Sequence, residues 1–183
     1  VSATIALQSA DAVSYRWLIG EDGTALGPIR DLWNPVCFGD PGKVSDPWYA
    51  CGPADNGGVH VNSGIPNHAF ALLVDGGTYN GRTVEPLGPT KAGHLYWRAM
   101  SVYQVPDSDF ADHADALSQA CLDLLGVGLV DLVTGEPSGL ALDADDCAQV
   151  EAAIEAVELR GAPGCDLGPL LDTAEPPLVC PST

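Results

Sequence analysis

The chain has 183 residues, 46% of them hydrophobic, which is enough for one domain with an apolar core. Seven Lys and Arg stand against 25 Asp and Glu. The net charge of −18 excludes nucleic acid and anionic membrane surfaces as partners and suits solubility in a salty or extracellular setting. Six cysteines, none in a C-x-x-C pair, point to an oxidising compartment and disulfides rather than to a zinc ribbon or redox motif.

Residues 1–14 carry Ile5, Ala6 and Val13 at near-helical spacing and read as the end of a helix. Residues 17–58 are dense in Gly, Pro, Asp and Asn, which predicts mainly loop with short turns. A loop that long in a compact domain usually serves function. From Ser63 the pattern turns helical, with Ser63 as N-cap, Pro66 in the first turn, and Ile65, Phe70, Leu72, Leu73 and Val74 as apolar positions. Gly76-Gly77 stops that helix, and 78–88 reads as a turn-rich link. Pro89 opens a helix to about Tyr103, ended by Pro106. Ser108 is expected to cap the next, which aligns Ala114, Leu117, Cys121 and Leu124 and closes at Gly126. An irregular insertion at 127–142 precedes a last helix capped by Asp143, with Cys147, Val150, Ile154 and Val157 in register. Residues 160–183 form a Pro/Gly-rich tail. The sum is an all-α protein, a bundle of four to five helices behind a long loop-rich N-terminal segment.

Six cysteines allow 15 pairings. Pairing sequence neighbours gives Cys37–Cys51 across a Gly/Pro/Asp loop, Cys121–Cys147 between two helix faces, and Cys165–Cys180 as a staple on the tail.

The densest cluster of chemistry is Ala54-Asp55-Asn56-Gly57-Gly58-Val59-His60-Val61-Asn62-Ser63-Gly64. An Asp five residues before a His, across a Gly-Gly turn, can hydrogen-bond and orient the imidazole. The same residues also suit a plain Gly/Asn turn with a satisfied histidine. Arg30 offers a planar fork of donors for a carbonyl or carboxylate, or an ion pair with Asp31 or Asp55. His68, His94 and His113 fall on predicted helices and read as core-edge or surface residues.

The run 55–70, DNGGVHVNSGIPNHAF, resembles the segment that carries the second catalytic histidine of the thermolysin-like zinc metalloendopeptidases. Trp17-Leu18-Ile19-Gly20-Glu21-Asp22, Ile29-Arg30-Asp31-Leu32-Trp33-Asn34-Pro35, Gly93-His94-Leu95-Tyr96-Trp97-Arg98-Ala99 and Asp123-Leu124-Leu125-Gly126 follow in that family's order, so the likeness spans about 3–158. It implies His60 as the donor that stabilises the oxyanion and Asp55 as the group that orients it. It also implies Arg30, with Ile19 and Ile29, as the pocket for an apolar first primed residue of a peptide substrate. Glu21 and Asp22 match an acidic pair at the family's calcium site, but Arg16 beside them weakens such a site.

The chain has no H-E-x-x-H, the pattern that holds the family's zinc. The resemblance therefore implies a C-terminal domain at 1–159, with 1–14 ending an inter-domain helix, 15–61 forming the active-site loop region, and 160–183 the tail. It would be secreted and inactive alone, and its zinc and its partner would both lie in an N-terminal domain of the same protein. The alternative is a non-catalytic peptide- or partner-binding module, or a processed remnant.

Overall fold

The computed structural model describes residues 16–22 and 27–165. The expected helix at 1–14 and most of the tail, with Cys180, lie outside them. Among the described residues five α-helices carry the fold: α1 (Asp55–Asn62), α2 (Gly64–Asp75), α3 (Gly88–Arg98), α4 (Phe110–Leu124) and α5 (Ala144–Ala156). Two small antiparallel ladders complete it, β1 (Leu18–Ile19) with β2 (Arg30–Asp31) and β3 (Gly77–Tyr79) with β4 (Arg82–Val84). The all-α expectation therefore holds, with short sheets added at the edges.

Helices α2 to α5 form because each presents an apolar stripe to one core. Ile65, Leu72 and Leu73 of α2, Leu95 of α3, Leu117 of α4, and Val150 and Ile154 of α5 are essentially removed from water. Helix α2 is apolar on most sides, and eight of its residues are buried. Helix ends follow local chemistry. Asp109 and Asp143 each cap a helix through a reciprocal bond with the aspartate three residues on, Asp112 and Asp146. The cap of α4 is thus Asp109 and not Ser108, whose hydroxyl instead accepts from the Val105 amide. Helix α3 runs on as a π-turn, Ala99–Tyr103, and reaches the expected end.

Two further expectations need correction. The stretch read as a link at 78–88 begins as a hairpin, β3–β4, turning on Asn80-Gly81 with φ of 49° and 74°. The cysteine pairing also differs. Cys121–Cys147 does join α4 to α5, but Cys51 pairs with Cys165, 114 residues away, which rules out Cys37–Cys51 and Cys165–Cys180. Cys37 is exposed and unpaired among the described residues. The physical reason is docking. The Val44 amide donates to the Val157 carbonyl, and Lys43 and the Ser45 amide both bond Glu158. The chain beyond α5 is thereby laid beside residues 43–51, where Cys165 meets Cys51.

Every basic side chain faces a carboxylate: Arg16–Asp75, Arg30–Asp40, Lys43–Glu158, Arg82–Glu155, Lys91–Asp146, Arg98–Asp123 and Arg160 with both Asp115 and Glu151.

Candidate functional site

The site is assembled where the loop-rich segment meets the start of the bundle. Helix α1 is unusual. Asp55, Asn56, Gly57 and Gly58 all have positive φ (55°, 51°, 87° and 76°), a left-handed turn that precedes the right-handed residues. Such a turn suits Asp, Asn and Gly, the residue types that visit this region at least cost. The sequence here predicted a turn, and the structure gives it this handedness.

The turn brings Asp55 back onto His60. One carboxylate oxygen lies 2.5 Å from the imidazole Nδ1, and the other accepts from the His60 backbone amide at 2.8 Å. Both bonds hold the Asp55 carboxyl below the usual carboxylate range, the side-chain bond most strongly. The His60 side chain is 76% exposed. With Nδ1 engaged, Nε2 is the ring nitrogen that this pair leaves unused.

Arg30 lies behind the pair. Its Nη1 donates to the His60 carbonyl at 2.5 Å and to the Ser63 hydroxyl at 2.7 Å, and stands 3.3 Å from Asp40. Ser63 donates to the same carbonyl. The ion pair considered with Asp31 or Asp55 is instead made with Asp40; Asp31 is buried and accepts from the Trp33 and Asn34 amides. Asp40 can stand there because Gly64 opens α2. A Cβ at that position would meet the Pro41 carbonyl at 2.7 Å and Asp40 Cβ at 2.9 Å, so only glycine lets the loop approach. All three of the Arg30 contacts are made by Nη1, and the Arg30 side chain is mostly covered.

Ile19 and Ile29 sit at the open end of the β1–β2 ladder. The Ile29 amide donates to the Ile19 carbonyl, Ile19 is in register with Arg30, and both isoleucines are exposed. They form an apolar edge beside Arg30. Glu21 and Asp22 follow that edge, and among the described residues no group of three His, Cys, Asp or Glu side chains could hold a metal ion.

The other histidines are structural. His68 is buried and donates from Nδ1 to the Gly42 carbonyl. His94 Nε2 donates to the Val130 carbonyl. His113 is buried against the Tyr96 ring, with Nδ1 beside the Gln104 amide and Nε2 without a partner. Burial pushes its pKa down to about 4. His113 also lines a cleft of about 480 Å³ together with Val59, Asn62, Ser63 and Phe110.

Sequence reasoning missed three residues of this arrangement: Asp40, Ser63 as a partner of Arg30, and Asn62. Asp40 and Ser63 act on Arg30 from 10 and 33 residues away, and no local pattern marks them.

The chain matches a family model described as the thermolysin metallopeptidase alpha-helical domain over residues 1–132. It is 41% identical over 114 residues to a thermostable neutral protease of Geobacillus stearothermophilus and to thermolysin of Alicyclobacillus acidocaldarius, 60% of this chain and 20% of each relative. It is 40% identical over 121 residues to an extracellular elastase of Staphylococcus epidermidis, 64% of this chain and 22% of the relative. The chain thus spans about a fifth of the length of these relatives. An ordered set of motifs, a four-helix core behind a loop-built histidine site and a match over residues 1–132 agree, and the chain belongs to the thermolysin metallopeptidase alpha-helical domain family.

Proposed function

We propose that this chain is the C-terminal part of a secreted zinc metalloendopeptidase, supplying the groups that stabilise the transition state and bind the primed side of a peptide. The observation that carries this reading is the pair of hydrogen bonds that His60 makes to Asp55, on a side chain that is 76% exposed. Zinc, held outside this chain by an H-E-x-x-H helix, would polarise the peptide carbonyl and activate water. The residues described here fit no zinc site of their own, so no role in binding zinc is assigned to them.

What this chain's residues do is electrostatic. As charge builds on the carbonyl oxygen, His60 Nε2–H donates to it. Asp55 accepts from Nδ1 and so orients the ring for that donation. Arg30 fixes the His60 backbone and turns its unused donors to the substrate carbonyl on the primed side. Ile19 and Ile29 wall the pocket for an apolar first primed residue. Glu21 and Asp22 are not assigned to calcium, given Arg16 nearby. The two disulfides and a relative named as extracellular support action outside the cell.

The test uses the two-domain enzyme. His60→Ala is expected to lower kcat by about 10²–10³ with KM within a few-fold, the loss usual for one oxyanion donor. The isolated chain is the control and is expected to show neither peptidase activity nor stoichiometric zinc. A folded His60→Ala enzyme with kcat within about twofold of the parent defeats the reading.

A further inference from the structure

We infer that Asn62 is a positioning residue for the Asp55–His60 pair: its buried amide clamps the segment around Ala50 to the left-handed turn and so fixes where Asp55 stands. The inference rests on the peptidase reading only for its effect on turnover.

Asn62 is 4% exposed and lies two residues after His60. Its Oδ1 accepts from the Ala50 amide at 2.9 Å, and its Nδ2 donates to the Ala50 carbonyl at 3.0 Å and to the Gly57 carbonyl at 3.2 Å. These are three of the four bonds that an amide side chain can make. They also fix the amide's orientation. A flipped group would set an NH₂ against the Ala50 N–H and an oxygen against two carbonyls. Asn62 therefore pairs with Ala50 as a neighbouring strand would, and holds the turn through Gly57.

The turn needs such a hold. Non-glycine residues at positive φ persist only where their surroundings over-determine them, and Asp55 and Asn56 are two in succession. Ala50 closes the other side: a Cβ on Gly58 would stand 2.4 Å from Ala50 Cβ, so turn and segment are in direct contact. One residue on, Cys51 is bonded to Cys165, which anchors the segment that Asn62 grips. Released from Gly57, the turn is free to relax toward negative φ, and that motion carries Asp55 off both the imidazole and the His60 amide. A residue that touches neither substrate nor the ring thereby sets the geometry of the pair.

The free chain supplies the first readout, by following the Asp55 carboxyl with NMR as pH falls. In the parent it titrates below the ordinary carboxylate range because His60 bonds it twice. Asn62→Ala is expected to move that titration up toward the ordinary value, and His60→Ala, which removes the imidazole bond but keeps the amide one, marks the share of the shift due to the ring alone. Val150→Ala, which loosens the bundle core, is expected to leave it in place, so lost stability alone does not produce the signal. In the two-domain enzyme Asn62→Ala is expected to lower kcat by about tenfold, the effect of an outer-shell partner, with a smaller change in KM. Should Asn62→Ala not fold, Asn62→Asp replaces it, since it keeps the acceptor for the Ala50 amide and loses both donated bonds. An Asp55 titration at its parental position in a folded Asn62 variant overturns the inference, as does failure of both variants to fold. If His60→Ala leaves kcat intact, the peptidase reading falls, but the titration still decides whether Asn62 positions the pair.

Discussion

Up to Asn62 the only buried large apolar side chains among the described residues are Trp17 and Val44, whereas from Gly64 to Leu159 more than twenty apolar residues form one core. The first region is held by hydrogen bonds, Trp17 Nε1 to Asp75, Arg30 to His60 and Ser63, and Asn62 to Ala50, and by the Cys51–Cys165 disulfide. Hydrophobic burial is non-directional and tolerates adjustment, while hydrogen bonds fix distances but contribute little net stability each. The bundle therefore supplies stability, and the polar region supplies geometry. A site whose chemistry depends on the 2.5 Å between Asp55 and His60 sits where directional bonds govern placement.

The largest test of this division is the disulfide that joins the two regions. In the chain-entropy view, closing 114 residues contributes about 5 kcal/mol, against about 3.5 kcal/mol for the 26-residue loop of Cys121–Cys147. If the polar region unfolds with the bundle, Cys165→Ser is expected to lose more global stability in denaturant melts than the pair Cys121→Ala and Cys147→Ala. If the polar region opens on its own, Cys165→Ser shows instead as faster amide exchange confined to residues 49–62, and the two regions are then separate units.

Next in size is the core. Leu117 is fully buried, and Leu117→Ala is expected to cost about 2–5 kcal/mol of global stability. The same variant is expected to leave the Asp55–His60 bond in place while the chain is folded. Loss of that bond in the folded variant, read by the Asp55 carboxyl signal, breaks the separation of stability from geometry.

His113 probes the bundle from its polar side. Its folded pKa of about 4 lies below the ordinary histidine value of 6.5, so the unfolded chain binds the proton first. The neutral form's contribution is present above pH 6.5 and is lost as pH falls from 6.5 through 4. His113→Leu removes this dependence. The gap between the stability curves of parent and variant is expected to be constant above pH 6.5 and to change below it, by up to about 3 kcal/mol. Parallel curves across that range refute the assignment.

The smallest effect belongs to the left-handed turn. Gly57 has φ of 87° with open space where a Cβ would lie, so Gly57→Ala meets only backbone strain. It is expected to cost about 1–2 kcal/mol, felt in amide exchange of the turn more than in the global melt.

The bundle was legible in the sequence and the site only in part, for one physical reason. Helix signals are local: the apolar spacing of α4, the stop at Gly76-Gly77 and the cap at Asp143 each need a few neighbouring residues. The cap was read as Ser108, but Asp109 takes it, because Asp109 and Asp112 satisfy each other's backbone amides. The Asn80-Gly81 hairpin signal was present in the sequence but was read as a link. At the site, the spacing of Asp55 and His60 was readable because both lie in one turn. Asp40, Asn62 and the Cys51–Cys165 bond were not, because each depends on which distant segment docks beside it.

Seven cations stand against 25 carboxylates, so the chain as a whole carries a net charge of −18 that its own side chains do not balance. The molecule must borrow its neutrality from dissolved ions and carries a sodium or potassium cloud wherever it goes. In dilute buffer that cloud is thin and spreads over about 30 Å at 0.01 M salt, so the carboxylates feel one another across the surface. In brine it contracts to about 3 Å at 1 M, and the mutual repulsion disappears. The fold is thus one that ordinary salt relaxes, and desalting is a stress on it in its own right.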